Sequence, residues 1–138
     1  MKLLRALLPA TDTRKRAELR GAIQGVGFRP FAYRTAKRFN VRGWVLNSSD
    51  GVVIEAEGAD LAVDHFLRAL TIEMPSLARI DEMRIPDLPL SDESDFVIRE
   101  SLARAGGFTL VPPDVATCAD CLREIMTPGD RRYEYPFT

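Results

Sequence analysis

The run Gly21-Ala22-Ile23-Gln24-Gly25-Val26-Gly27-Phe28-Arg29-Pro30 sits where an alternating segment gives way to a helical one. Upstream, Ala17-Glu18-Leu19-Arg20-Gly21-Ala22-Ile23 alternates as a half-buried strand does. Downstream, residues 31–39 read as a helix, and Pro30 suits its first position, where the missing N–H has no intrahelical partner to lose. Residues 24–28 must therefore turn sharply from strand to helix, and Gly25 and Gly27 let the backbone curl. A tight loop that enters a helix turns several unpaired N–H groups toward one concavity. Such a concavity is an anion cradle, reinforced by the positive end of the helix dipole. Arg29 stands at its rim, a planar cation that grips phosphate oxygens in pairs. The same residues could equally form a plain glycine turn ending in a surface arginine, since a short glycine loop alone is a weak signal.

The remainder of the chain supplies a core for this loop to stand on. With 138 residues there is room for one ordinary domain and a short addition. Hydrophobic and charged fractions of 46% and 28% are those of a soluble globular protein. A net charge of −1 gives no basic field for nucleic acid or acidic membranes, so attraction for an anion must be local. No apolar run reaches membrane-spanning length, and Arg5 interrupts the short apolar start before it can serve as an export signal. Residues 1–15 read as a loosely ordered leader and the protein as cytoplasmic. Two cysteines three apart exclude a disulfide framework.

Taken in order, the helix after the loop offers Phe28, Ala32, Ala36 and Phe39 as one buried stripe, with Arg34, Lys37 and Arg38 turned to water. Asn40 and Gly43 are expected to close it. Trp44-Val45-Leu46-Asn47 reads as a strand, and Asp50-Gly51 between β-rich runs predicts a hairpin into residues 52–57. There Val52, Ile54 and Ala56 should face the core, while Val53, Glu55 and Glu57 face outward. Trp44 is expected in the core rather than as a substrate platform. Asp60 suits a cap for a second helix over residues 61–72, with Val63, Phe66, Leu67 and Leu70 on its core face.

Residues 77–85 make another strand, whose parity slips from Ala78 and Ile80 to Met83 and Ile85, predicting a bulge. Phe96-Val97-Ile98-Arg99 is a last short strand. The result is an α+β, ferredoxin-like βαββαβ arrangement: an antiparallel sheet with two helices on one face. His65, the only histidine, lies far in sequence from the loop, and a general-base role for it is not expected.

Gly21-Ala22-Ile23-Gln24-Gly25-Val26-Gly27-Phe28-Arg29, then Gly43-Trp44-Val45-Leu46-Asn47, then Asp50-Gly51-Val52-Val53-Ile54-Glu55 and Glu57-Gly58, resembles an acylphosphatase domain in motif order and spacing over residues 16–101. The resemblance implies hydrolysis of an acyl phosphate, a mixed anhydride with a phosphoryl dianion at one end. Gln24, Gly25, Val26, Gly27, Phe28 and Arg29 would surround the phosphate, Gln24 and Phe28 by shaping the loop. Arg29 would add charge-assisted bonds, and the Asn47 amide would orient the attacking water, although asparagine beside a turn is also commonplace. A good leaving group needs little acid catalysis, so this step calls for no cofactor, metal or covalent nucleophile.

From residue 102 the character changes. Ala105-Gly106-Gly107 reads as a linker and residues 111–115 as extended, followed by a brief helical turn at Ala116-Thr117-Cys118-Ala119-Asp120-Cys121. This extension, with Pro128-Gly129-Asp130-Arg131-Arg132-Tyr133, resembles the start of the zinc-finger region in the hydrogenase-maturation carbamoyltransferase family. That likeness implies carbamoyl phosphate as substrate, ATP-handling carbamoyltransferase domains downstream and a hydrogenase-maturation partner protein that receives the carbamoyl group. Cys118 and Cys121 make one Cys-x-x-Cys pair, and a closed zinc site needs four ligands. On this reading the chain is an N-terminal piece with an incomplete, zinc-finger-like tail over residues 102–138. Zinc is then expected only in the full-length protein. A redox role for the pair is disfavoured, because no thioredoxin-like βαβ pattern surrounds it.

Overall fold

The computed structural model describes residues 11–101 and 118–134. Strand β1 (Asp12–Ala22) leads through the glycine loop into helix α1 (Phe28–Arg38). Strands β2 (Arg42–Ser48) and β3 (Gly51–Ala59) form the hairpin, followed by helix α2 (Asp60–Ile72). Strands β4 (Arg79–Arg84), β5 (Asp87–Leu88) and β6 (Phe96–Ile98) complete the sheet. Its order is β4-β1-β3-β2-β6, with β5 pairing β1 beyond the end of β4. The fold is the α+β, ferredoxin-like one expected. The sheet is mixed rather than wholly antiparallel: β6 runs parallel to β2, with Gly43 opposite Phe96. The chain reaches that edge by crossing from β5, a route longer than a hairpin allows.

Both helices pack one face of the sheet. Leu19, Ile23, Val45, Val52 and Ile54 from the strands meet Phe28 and Ala32 of α1, and Val63, Phe66 and Leu70 of α2, in one buried cluster. Phe96 closes it, edge-on to Phe66 at 5.8 Å between ring centroids. The expected parity slip is real. Asp81 is skipped where Arg20 pairs Glu82 and Gly21 pairs Ile80, and this lets Ile80 and Met83 both pack against the core.

Several local readings are corrected. Helix α1 begins at Phe28, so Pro30 is its third residue; the amides ahead of Phe31 have no intrahelical partner, and proline is tolerated in this first turn. Asn40 does end the helix in a left-handed conformation (φ 55°), whereas Gly43 lies inside β2. The turn of the hairpin is Ser49-Asp50, because Ser48 and Gly51 already pair. Asp60 is the first residue of α2 and caps nothing; Ala59 holds the cap position. Strand β1 starts at Asp12, so residues 12–15, expected in the leader, belong to the sheet. Their alternation is masked because both faces carry charge, Lys15 bonding Asp64 of α2 at 3.0 Å while Arg14 pairs Glu55 on the far face. The rest of the expected leader up to residue 10, and the linker over 102–117, lie outside the described residues.

Glu55 and Glu57 do face away from the helices, but they are only 3% and 1% exposed. Arg14 and Arg16 close over Glu55, with Arg16 Nε at 3.0 Å. The crossing segment covers Glu57, whose carboxylate accepts the Ser91 and Glu93 amides at 2.7 and 3.0 Å. An ionised acceptor holding two backbone donors is among the stronger local ties available to a loop. Trp44 is buried on this outer face rather than in the main core, with the Arg99 guanidinium stacked 4.6 Å from its ring centre.

Candidate active site

Ile23 is buried and anchors the end of β1; the chain then turns through Gln24, Gly25, Val26 and Gly27 into α1. Gly25 and Gly27 take φ of 74° and 79°, the left-handed region that an L side chain enters at a cost. Gly27 is the N-cap and contributes no side chain, and the first turn of α1 contains no acidic residue. Among the described residues, the amides of residues 25–29 donate no hydrogen bond to backbone outside the helix; the first such donor is Phe31, to Gly27 O at 3.2 Å. The donors of the loop are therefore available, and the helix dipole is unanswered by any local carboxylate.

Arg29 is half-buried in that first turn. It makes no salt bridge or side-chain hydrogen bond with the described residues, although most arginines of this domain do. A cation beside the positive end of a helix is unfavourable on its own, and an anion in the cradle relieves both charges together.

Asn47 joins this group through the sheet. Leu19 pairs Val52, and Val52 pairs Asn47, so the three side chains form one row across β1, β3 and β2. Leu19 and Val52 belong to the helix-facing core, and Asn47 therefore faces the helix layer too. The row lies at the end of the sheet where β1 finishes and the glycine loop begins. Loop, Arg29 and Asn47 thus share one end and one face of the sheet. The carboxamide oxygen of Asn47 is buried and has no hydrogen-bond partner among the described residues. Leaving such an acceptor unmade costs about 1–3 kcal/mol, which makes it a natural seat for a water molecule.

Gln24 ties the two halves together: its Nε2 donates to Ser48 O at 2.6 Å and to Gly51 O at 2.9 Å. Phe28 is fully buried and stacks edge-on to Phe31 at 5.6 Å, fixing the loop's exit. Val26 packs partly against the core. His65 is exposed on α2. A cleft of about 400 Å³ lies beside the loop, lined by Arg20, Gln24, Asp50 and Asp81 among others, but not by Arg29 or Asn47. What the sequence did not announce is the part played by the Ser48 and Gly51 carbonyls, since backbone acceptors leave no mark in residue types.

In the tail, helix α3 (Ala119–Met126) opens on Cys118, whose sulfur accepts the Cys121 amide at 3.4 Å. That bond lowers the Cys118 thiol pKa from its ordinary value, while the side-chain contact with Cys118 raises that of Cys121. Both cysteines are free. An amide turned onto a thiolate suits a metal-binding knuckle. No group of three or more His, Cys, Asp or Glu able to hold a metal occurs among the described residues, and tetrahedral zinc takes four ligands. Cys118 and Cys121 would supply two of those four. The purified chain should carry well under one zinc per molecule by elemental analysis; a full equivalent would overturn the half-site assignment.

The glycine loop, the strand-end asparagine and an arginine without an ion-pair partner among the described residues thus lie at one end of a ferredoxin-like sheet. The acylphosphatase family model matches residues 15–98, and the chain belongs to that family. The HypF finger model matches residues 117–138. Carbamoyltransferase HypF of Rhizobium leguminosarum bv. viciae is 46% identical over 90% of the chain, which spans only 16% of that relative. An acylphosphatase of Leuconostoc mesenteroides is 42% identical over 57% of the chain and 89% of its own length. Among solved structures, full-length HypF in a phosphate- and nucleotide-bound form superposes with a TM-score of 0.77 at 38% identity, over 96% of this chain and 17% of that one. No helix among the described residues is long and apolar enough to cross a membrane.

Proposed function

We propose that residues 16–101 form a domain that hydrolyses an acyl phosphate, carbamoyl phosphate above all, as the first step of carbamoyl transfer in nickel–iron hydrogenase maturation. The observation that carries this reading is the buried, unpartnered carboxamide oxygen of Asn47, set on the same end and face of the sheet as the free loop amides. The phosphoryl dianion sits on the amides of residues 25–29, and Arg29 pairs with its oxygens. In a loose transition state, charge is spread over the three equatorial oxygens, where fixed N–H donors act without reorganising. A water donating to Asn47 Oδ1 is held for in-line attack on phosphorus. The new P–O bond forms as the bond to the carbamate oxygen breaks, giving inorganic phosphate and carbamate, and the water's surplus proton passes to solvent.

The match to the HypF finger favours carbamoyl phosphate over a general acyl phosphate. On the same reading residues 102–138 are linker and partial finger, the setting is cytoplasmic, and ATP-dependent domains and a maturation partner act on the released carbamate. A phosphate-binding module inert without further domains would show no turnover, whereas a free-standing acylphosphatase would turn over acyl phosphates without favouring carbamoyl phosphate. The test is phosphate release from carbamoyl phosphate and benzoyl phosphate by the purified chain. Turnover is expected for both, and Asn47→Ala should lower kcat about a hundredfold, the scale of a lost positioning contact. Protection against heat by inorganic phosphate without turnover would instead establish the binding module.

A further inference from the structure

We propose that Gln24 is a positioning residue rather than a phosphate ligand: it braces the β2–β3 hairpin turn against the glycine loop and so sets the distance between the loop amides and Asn47. The inference rests on the hydrolase reading above and refines the role of one residue in it. Gln24 has two N–H donors on Nε2, and both are used, one on Ser48 O at 2.6 Å and one on Gly51 O at 2.9 Å. Rotating the amide by half a turn would set Oε1 against two carbonyl oxygens, so the hydrogen-bond network fixes its orientation. What remains of the side chain is an acceptor oxygen, which repels a phosphoryl dianion instead of binding it.

The acceptors are also significant. Ser48 and Gly51 are the closing pair of the hairpin, facing each other across the Ser49-Asp50 turn. Asn47 precedes Ser48 directly, and no third strand supports it laterally, because β6 pairs β2 only at residues 43–45. The end of the hairpin next to Asn47 is thus held to the loop by the Gln24 amide. Ile23, next to Gln24 and only 1% exposed, fixes the other end of this link to the core. A displacement of about 1 Å between a nucleophile and its target costs on the order of a hundredfold in rate.

Gln24→Met keeps the length of the side chain and removes both donors. Its kcat for benzoyl phosphate should fall about tenfold or more, while the dissociation constant for inorganic phosphate stays within about threefold, since the cradle amides and Arg29 are untouched. A ligand role would instead weaken phosphate binding in step with kcat. The decisive measurement is the double-mutant cycle with Asn47→Ala. If Gln24 acts through Asn47, Gln24→Met should change kcat less than twofold in the Asn47→Ala background. Equal effects in both backgrounds would overturn the brace, as would an unchanged kcat in Gln24→Met with only a lowered Tm. Absence of turnover by the unmutated chain would sink the hydrolase reading itself, and with it any catalytic role for Gln24.

Discussion

Arg29→Ala should lower kcat/KM for an acyl phosphate by about a thousandfold, with little change in Tm. Removing one preorganised donor to a developing oxyanion costs about 10²–10³ in rate, and an arginine on a transferred phosphoryl group is worth 10³ or more. The stability side follows from the surroundings of Arg29. It makes no salt bridge with the described residues and sits in the first turn of α1, where a cation opposes the dipole. Replacing it with alanine removes that conflict, so the unliganded protein should melt at the same temperature or slightly higher. The stabilisation that inorganic phosphate gives to the wild type should then be lost, because it depends on the same guanidinium. Arg29→Lys separates charge from geometry: a point charge restores part of the binding but not the paired contact, and should recover less than a tenth of the wild-type rate. A rate within threefold of wild type in Arg29→Ala would remove Arg29 from the mechanism.

The legible parts of this protein are those where residue type fixes backbone behaviour. Gly25 and Gly27 in a strand-to-helix turn announce a left-handed loop, and both adopt one. Val63, Phe66, Leu67 and Leu70 announce the buried face of α2 through their spacing. Even the bulge at Asp81 could be read, because the core-facing residues of β4 change parity. What escaped has a common cause: partners distant in sequence. Arg14, Glu55, Glu57 and the amides of Ser91 and Glu93 meet only when the crossing segment folds over the sheet, so the glutamates looked solvated. The start of β1 escaped similarly, since a strand charged on both faces shows no hydrophobic period. The candidate site divides along the same line. Its residue types were visible, and their convergence depended on the register that puts Asn47 opposite Val52.

Gly43→Ala should be among the most destabilising conservative changes in the sheet, and its cause is backbone contact rather than flexibility. A Cβ at this position would lie 1.9 Å from the Glu55 carbonyl oxygen and 2.8 Å from its carbon, both backbone atoms that cannot swing aside. The residue also has φ of 134°, which an L side chain adopts only under strain. Strain of about 1–3 kcal/mol and overpacking of about 1–3 kcal/mol together suggest a loss of at least about 2 kcal/mol. For a domain of this size that lowers Tm by about 8 °C or more. Gly27→Ala is the informative control, with φ of 79° but nothing within 4 Å of the added methyl. It carries the backbone term alone, about 1–2 kcal/mol. Urea denaturation should therefore rank the two variants with Gly43→Ala clearly the weaker. The functional ranking should be reversed. Gly43 pairs Ala56 near the far end of the hairpin from Asn47, whereas Gly27 shapes the cradle. Well below its Tm, folded Gly43→Ala should thus hydrolyse acyl phosphates faster than Gly27→Ala. Were both variants to lose stability equally, the steric origin assigned to Gly43 would be wrong, and the separation of scaffold from site at opposite ends of the sheet would lose its physical basis.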